Sequence, residues 1–460
     1  MEKTVTAIFD IGKTNKKFFL FDGRYNEVYK TYEQFDEIKD EDGHPTDDLK
    51  AIENWVKTQL SQTLSDKKYS IKRINFSTYG ASFVHIDKQG APIAPLYNYT
   101  KPYPQDLLDQ FHAKYGDPLT IAKETASPPS GMLNSGMQLY WLKYARPQVF
   151  QQIKYSLHLP QYLSFLFTGI PLSDFTSIGC HTGLWHYEKG DYHDWVYAEG
   201  LDNILAPIVP TTTSINTDYE GHPISIGIGI HDSSAALLPY LKSDRNPFLL
   251  LSTGTWSIAL NPYSDEILSA DDLQSDCLNY MQLNGQAVKA ARLFLGHEYS
   301  LQVRQLHDFF KKEEGYHRSV QFDEKLYARL KESNKPFFKF ESIQLQRPQP
   351  EASQWQTFSS FEAAYHQLML ELMGLQIQSA QKAMGKSPIK KIYVDGGFAD
   401  NDIFVKLLSY HFKGHKLRTT QSPLGSAIGA AMVIDDKKPG KKFLKKHYAL
   451  KKHLPLTFDK

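Results

Sequence analysis

The hydrophobic pattern along this chain switches between two short periods, and each switch marks an element. Thr4 to Asp10 is largely apolar up to its closing carboxylate. A compact Gly/Lys/Thr/Asn turn occupies Gly12 to Lys17, and Phe18 to Phe21 is apolar again. Two short runs around a glycine-containing turn predict a hairpin with an enlarged loop. Asn26 to Glu33 supplies a third short strand. Asp47 to Leu64 then takes up the helical spacing, with Leu49, Ile52, Trp55, Val56 and Leu60 on one side. Ile71 to Ser77 and Ser82 to Asp87 read as strands on either side of the turn Thr78-Tyr79-Gly80-Ala81. Lys101 to Ser135, rich in Pro, Gly and polar residues, reads as loop and short helix. Met137 to Tyr144 and Gln148 to Thr168 read as helical, the second stopped by Gly169 and Pro171.

Ile224 to Ile230 is a β-like run broken by Gly227 and Gly229. It leads into His231-Asp232-Ser233-Ser234 and a small-residue helix start. A boundary falls near Pro239 to Pro247, and beyond it the opening device recurs. Phe248 to Leu251 is apolar, Ser252-Thr253-Gly254-Thr255 is a turn, and Trp256 to Leu260 is apolar again. A strand, a Gly/Thr turn and a second strand, used twice, predict a duplicated α/β architecture with a cleft between two lobes. The lobes are expected at residues 1–241 and 242–460. Gly285 to Pro350 reads as helical and charged, with a helix over Phe322 to Leu330 and a surface loop over Gln349 to Thr357. Phe361 to Met384 is a long amphipathic helix, Lys391 to Asp395 a strand, Gly396-Gly397 a tight turn and Asn401 to Phe412 a helix. Pro423 to Ile434 is a small-residue helix suited to close packing. The tail after Asp436 carries nine lysines and reads as a solvated terminal helix with the apolar stripe Phe443, Leu444, Tyr448 and Leu450.

Composition narrows the class. The chain of 460 residues can bury a large core, and 41% hydrophobic with 22% charged residues is a globular balance. A formal net charge of +1 argues against a general nucleic-acid binder. No apolar run approaches the roughly 20 residues of a membrane span, and the N-terminus passes directly into a strand without a cleavable signal pattern. Cys180 and Cys277 match no metal or disulfide spacing, so reduced thiols in a cytoplasmic protein are expected. His181, His186 and His193 lack a ligand spacing and are expected to make scattered polar contacts rather than a metal site.

Four places carry candidate chemistry, each with a plainer alternative. A buried strand that ends in Asp10 is costly unless that charge has a partner. The turn beside it offers amides that can cradle an anion, and the carboxylate can hold the magnesium that accompanies a nucleotide's phosphates. The alternative is a solvent-exposed hairpin with a lysine-rich tip. Asp232 is either an N-cap, worth about 1 kcal/mol, or a carboxylate aimed into a cleft. The Thr78 to Ala81 turn can meet a small ligand or be ordinary hairpin chemistry. Gly396-Gly397 lets a nucleotide lie against the backbone, as any βα turn also does.

Taken in order, these signals resemble the FGGY family of carbohydrate kinases, within the actin-like ATPase and sugar kinase fold. Asp10-x-Gly12-x-Thr14-Asn15-x-Lys17 is similar to the family's first phosphate loop, Asp-x-Gly-Thr-Thr-Ser-x-Arg, with Lys13, Asn15 and Lys17 in place of Thr, Ser and Arg. Leu159 to Gly169 resembles the family helix that ends in Leu-Thr-Gly. Gly227-x-Gly229-x-His231-Asp232 resembles the segment of the catalytic aspartate, and Ser252 to Ser257 the second phosphate loop. Val394-Asp395-Gly396-Gly397 with Asn401 resembles the adenosine segment, backed by Gly425 to Ala431. The His-Asp-Ser and Gly-Thr-Trp-Ser forms are most similar to the L-rhamnulose kinase branch, with L-fuculose kinases close to it. Two departures stand out: Tyr97-Asn98-Tyr99-Thr100-Lys101 where many members have Trp-x-Asp-x-Arg, and Leu293 where rhamnulose kinases offer a polar group.

The resemblance implies two actin-like (ribonuclease H-like) α/β lobes of duplicated architecture. It implies an ATP- and Mg²⁺-dependent kinase that phosphorylates a hydroxyl of a small ketose, L-rhamnulose or a related 6-deoxyketohexose. Asp232 is then the base and Asp10 the magnesium ligand. Gly12, Lys13, Thr14, Asn15 and Lys17 cradle phosphates, with Gly254 and Thr255 approaching from the second lobe and Gly396, Gly397 and Asn401 lining the adenosine pocket. Thr78, Tyr79, Gly80, His231 and Asp232 face the sugar. Partners are a small sugar, no nucleic acid and no membrane, with a homodimer left open. Alternatives are a kinase for L-fuculose, xylulose, ribulose or another polyol, and a non-catalytic sugar or nucleotide sensor. A dinucleotide dehydrogenase is disfavoured because no Gly-x-Gly-x-x-Gly follows the first strand.

Overall fold

The opening strand, Lys3–Ile11, is apolar on both faces from Val5 onward, and both faces are covered. It lies in the middle of a seven-stranded mixed sheet, parallel to Tyr69–Thr78 and antiparallel to Lys16–Asp22. Glu27–Glu33 closes one edge, His222–Gly227 and Ser214–Tyr219 the other, and Ile230–His231 extends alongside the end of Tyr69–Thr78. The computed structural model describes all residues except 1, 333–334, 344–347, 422–423, 436, 438, 441 and 458–460.

Strand alternation divides the side chains between two cores. Val5, Ala7, Phe9, Phe18 and Leu20 face the helix Leu49–Ser65, whose Leu49, Ile52, Trp55, Val56 and Leu60 are buried against them. That helix starts where Asp48 accepts a hydrogen bond from the Ala51 amide at 2.9 Å, a cap worth about 1 kcal/mol. Ile8, Phe19 and Phe21 face the opposite way, into a core shared with residues of the second half: Phe248, Leu250, Ala430 and Met432.

The second half repeats the device. Phe248–Thr253 is antiparallel to Ser257–Asn261 and parallel to Lys391–Gly396, within a seven-stranded sheet that also holds Cys277–Met281, Ala287–Leu293, Lys416–Thr420 and Lys451–Lys452. Its outer face is covered by the long helix Phe361–Met384. Two mixed sheets thus form two α/β lobes, as the repeated hairpin predicts.

The lobes meet where the helix Asp232–Ser243 lies on the helix Gly425–Val433. Pro239, inside the first helix, has no N–H to give the Ala235 carbonyl four residues back. Gly429 sits directly on that carbonyl: a β-carbon there would fall 1.8 Å from the oxygen. At the next residue, the Asn75 amide donates to the Ala430 carbonyl at 2.8 Å and its oxygen accepts from Gly229 N–H at 3.1 Å.

Several local expectations are corrected. Phe83–Ile86 is a strand, but it pairs with Tyr155–His158, so Gln148 to Thr168 is not one helix: Pro147–Phe150, that strand and the helix Leu159–Thr168 follow in turn. The segment after Gly285 begins with the strand Ala287–Leu293, whose Ala and Val residues on two buried faces hide the β alternation; the helices Leu295–Phe310 and Glu324–Lys331 come after it. The tail is not a solvated helix. Phe443, Leu444 and Tyr448 are buried in the core between the sheets, the helix spans only Phe443–His447, and Lys451–Lys452 adds a last strand beside Arg418 and Thr419. The apolar stripe had more to gain from that core than the lysines lose by staying at its rim. Pro423, the expected start of the small-residue helix, lies outside the described residues.

Gly429→Ala is expected to destabilise the protein by about 2 kcal/mol or more, because the new methyl has a backbone carbonyl, not a movable side chain, in its way. Urea unfolding measures this; an unchanged midpoint would mean that the helices are not packed so closely.

Candidate active site

The sheet register gathers the expected residues of the first lobe at one end. Asp10 pairs with Ser77 on one side and Lys17 on the other, while Ile230 and His231 pair with Ser77 and Thr78. Asp10 shares its face with Ile8, so it points toward the other lobe, and Lys17 opposite it points the same way. Asp232 begins the helix that follows His231. Asp10, Lys17, Thr78, His231 and Asp232 therefore end at the same cleft edge.

Asp232 is held in a dry corner. Burial pushes its carboxyl up to about 6, against hydrogen bonds from Ser233 that pull it down, while a third of its side-chain surface stays open. His231 Nε2 lies 3.2 Å from Asp232 Oδ1 and 3.2 Å from Cys180 Sγ. Burial lowers the His231 imidazole to about 4, so it is neutral at pH 7. The hydrogen-bond partner of Nε2 is the Cys180 sulfur, and the neutral ring stands beside the Asp232 carboxylate without adding charge to it. The ring lies on Tyr280 of the second lobe, centroids 5.4 Å apart, and its backbone N–H donates to Thr176 Oγ1 at 3.1 Å. Gly80 has to be glycine here, since a β-carbon would meet Cys180 Sγ at 2.7 Å and the His231 ring at 3.1 Å.

Asp10 is buried, and its carboxyl is raised above the usual aspartate value, chiefly by desolvation, with Asp232 adding to the effect and Ser426 and Lys17 opposing it. Ser426 Oγ, in the first turn of the cross-lobe helix, donates to Asp10 Oδ1 at 2.6 Å. Among the described residues no three His, Cys, Asp or Glu side chains are grouped to hold a metal. One carboxylate is nevertheless the kind of donor that Mg²⁺ uses when phosphate oxygens and water complete its shell, so Asp10 fits that ion.

The first turn is closed by Gly12 N–H on the Asn15 carbonyl at 2.9 Å. Thr14 and Asn15 are exposed at its tip, and Asn15 Oδ1 accepts from Gln34 Nε2 at 2.6 Å. Lys13, expected beside the phosphates, is engaged by a carboxylate. Its ammonium donates to Asp47 at 2.7 Å, and buried Lys16 reaches the other oxygen of Asp47 at 2.9 Å. Tyr79, expected to face the sugar, donates its hydroxyl to Asp47 at 2.7 Å. Thr78 Oγ1 is turned to the Tyr79 carbonyl at 2.8 Å. Asp47 is the site residue that the sequence reading missed: it was seen only as the start of a helix. Lys101, in the place of the family arginine, is buried and tied to Asp40 and Asp42, each at 2.6 Å.

In the second lobe, Thr253 pairs with both Ser257 and Gly396, so the Gly254-Thr255 and Gly396-Gly397 turns open at one end of the sheet. A β-carbon on Gly396 would fall 1.9 Å from the Thr253 carbonyl, and Gly396 has φ +91°. Thr253 Oγ1 donates to the Asp395 carbonyl at 2.6 Å and accepts from Phe398 N–H at 3.1 Å. The turns open onto a cavity of about 660 Å³ lined by Gly254, Thr255, Gly397, Phe398, Asn401 and Tyr299, among others. The volume and the glycine-backed wall fit a nucleotide. Asn401 caps the helix Asp402–His411 and donates to the Tyr365 hydroxyl at 2.9 Å, so its amide shapes the wall. His297, Tyr299, His317 and Arg318 also line the cavity. They were not anticipated, because they come from the stretch whose strand and helix order the pattern concealed.

Comparison with known proteins bears on the family and on the fold. The N-terminal domain model of the FGGY family of carbohydrate kinases matches residues 5–233, and the FGGY carbohydrate kinase C-terminal domain model matches residues 245–442. The chain superposes on a carbohydrate kinase from Novosphingobium aromaticivorans with a TM-score of 0.79 at 22% identity, covering 99% of this chain and 95% of that one. For a xylulose kinase from Lactobacillus acidophilus the TM-score is 0.75 at 15% identity, covering 98% and 94%. These likenesses are of fold. A rhamnulokinase from Mannheimia succiniciproducens is 23% identical over 262 residues, 52% of this chain and 49% of that protein. One from Yersinia pestis (strain Pestoides F) is 25% identical over 240 residues, 48% and 46%. The chain spans about half the length of the curated relatives it matches. With one domain model of the family on each half of the chain, the protein belongs to the FGGY family of carbohydrate kinases.

Proposed function

We propose that the protein is an ATP-dependent kinase that transfers the γ-phosphoryl group to a hydroxyl of a small ketose, L-rhamnulose or a related 6-deoxyketohexose. The lobes divide near residue 241 in this reading, with the sugar, the first phosphate turn and Asp232 on residues 1–241 and the nucleotide on 242–460. The observation that carries it is Asp232: a cleft carboxylate with its pKa pushed up to about 6, beside a neutral histidine, at the same sheet edge as Asp10. The rhamnulokinase relatives support the choice of sugar. Two buried, unpaired cysteines suit a cytoplasmic setting, and among the described residues no helix is long and apolar enough to cross a membrane.

Phosphoryl transfer asks for positioning and charge stabilisation more than for covalent chemistry. Asp232 accepts the proton of the attacking hydroxyl as its oxygen bonds to the γ-phosphorus; the bond from that phosphorus to the bridging oxygen breaks, and ADP leaves. A carboxyl that titrates near 6 is mostly ionised at pH 7 yet basic enough to take the proton. Asp10 would hold Mg²⁺, which neutralises charge on the phosphate oxygens. Gly12, Thr14, Asn15 and Lys17 would meet the phosphates from the first lobe, Gly254 and Thr255 from the second. Gly396, Gly397 and Asn401 would line the adenosine pocket, and Thr78, Tyr79, Gly80 and His231 the sugar side. Lobe closure excludes the water that competes as acceptor.

ADP release with Mg·ATP, measured against L-rhamnulose, L-fuculose, L-ribulose, D-xylulose, D-ribulose and glycerol, tests the reading. Turnover is expected with one ketose above the rest, and silence with every acceptor would refute it. Asp232→Asn is expected to keep nucleotide binding and to lose kcat by about 10²–10⁴-fold.

The wild-type kcat/KM is expected to fall about tenfold per pH unit below pH 6, as the base becomes protonated. A flat profile from pH 5 to 7 would remove Asp232 from that role. The same shift has a stability signature. Folded Asp232 keeps its proton up to about 6, whereas the unfolded residue loses it near 3.8, so the folded state binds more protons between those values and stability falls as pH rises through the window. Asp232→Asn should therefore raise the thermal midpoint above pH 6, with the gain vanishing below about pH 4.

A further inference from the structure

Lys13 occupies a phosphate-loop position, yet it stands among different neighbours. Lys16, on the face of the hairpin turned away from the second lobe, and Lys13 both reach Asp47. Lys13 Nζ also lies 3.3 Å from Glu37 and over the rings of Tyr79 and Tyr99, 5.8 and 6.0 Å from their centroids. Tyr79 follows Thr78, the sheet partner of His231. The Tyr79 and Tyr99 rings meet edge to face, 6.2 Å between centroids, so Lys13 stands over a pair of rings that continues the Thr78 turn. Drawing Lys13 onto a phosphate would strip a buried carboxylate of one of its two cations, which is costly.

Resting on the kinase reading above, we propose that Lys13 and Glu37 belong to the wall of the acceptor pocket and not to the nucleotide cradle. The Lys13 ammonium, with three donors, gives one to an oxygen of the acceptor, and the Glu37 carboxylate accepts from a neighbouring hydroxyl. Lys13 and Lys16 balance Asp47 and Glu37, and Asp232 leaves the wall negative. The acceptor class it fits is a neutral polyhydroxy compound, and a carboxylated sugar acid is repelled. Both side chains remain open to a ligand, with 27% and 46% of their surface exposed.

The test uses the full chain and two variants, Lys13→Gln and Glu37→Gln; the exposed Glu37 can be changed without disturbing the Asp47 cluster. Calorimetry with a non-hydrolysable Mg·ATP analogue reports the nucleotide cradle. Steady-state kinetics on the best of L-rhamnulose, L-fuculose and D-xylulose, with D-gluconate as the charged probe, reports the acceptor wall. The expected result is an acceptor KM raised tenfold or more in Lys13→Gln and several-fold in Glu37→Gln, nucleotide affinity within twofold of wild type, and no turnover of D-gluconate. Nucleotide affinity tenfold weaker in Lys13→Gln with the acceptor KM unchanged would overturn the assignment. D-Gluconate turnover comparable with the ketoses would overturn the neutral acceptor. A wild type that binds the nucleotide analogue but phosphorylates no acceptor would fail the kinase reading and take this inference with it.

Discussion

The contact of Gly429 with the Ala235 carbonyl sets the geometry on which everything else depends. A proline four residues along frees that carbonyl, a glycine lets the other helix rest on it, and the two lobes are brought as close as backbones allow. Ser426, nearly one turn earlier on the second helix, is thereby placed on Asp10, and the helix presents its positive end to a buried carboxylate. The first helix starts at Asp232. One seam therefore ties the second lobe to the sheet edge that carries both carboxylates, through Ser426 on Asp10 and through the packed helix that Asp232 begins.

Within that frame three aspartates acquire different characters from their surroundings alone. Asp232 and Asp10 are driven up by loss of water, with only hydroxyls, amides and a distant lysine to compensate. Asp47 is also buried, yet it is driven down, because two ammonium groups and a phenol satisfy it against the same desolvation. A carboxylate that is easily protonated suits proton transfer, and one that is firmly ionised suits holding other groups still. Sequence shows three aspartates; only the folded neighbourhood distinguishes their tasks.

The parts of this arrangement that could be read from the chain are those written in local periodicity. The repeated strand, Gly/Thr turn and strand announced two lobes; Asp10 and Asp232 come to one sheet edge of the first, and Thr255 and Gly397 line one cavity of the second. What could not be read depends on long-range partners. Ala287–Leu293 is a strand because Ser257–Asn261 lies beside it, and its small residues are buried on both faces, which erases the period of two. Asp47 is 31 to 34 residues from its lysines and 32 from its tyrosine, and no spacing rule connects them. The terminal lysines suggested solvent, while Phe443 and Tyr448 had a core waiting in another part of the chain.

The cations show how far this protein has moved within its family while keeping the architecture. Where many family members have an arginine, Lys101 is locked between two aspartates and over Trp141, so its charge is satisfied within the protein. Lys16 is buried on Asp47, and Lys13 follows it there, leaving Lys17 as the first-turn lysine that shares the Asp10 face. Lysine lacks the planar fork that lets arginine grip a phosphate on two oxygens, so in the proposed reading one such residue would give a weaker and less directional hold on the nucleotide. More of that hold would then fall to the backbone turns and to the second lobe, where glycines at 254, 296 and 396 pack backbone against backbone. In that reading a cleft that held its nucleotide through fixed main chain would be free to vary side chains on both the phosphate turn and the acceptor side, and the departures from the family pattern fall on both.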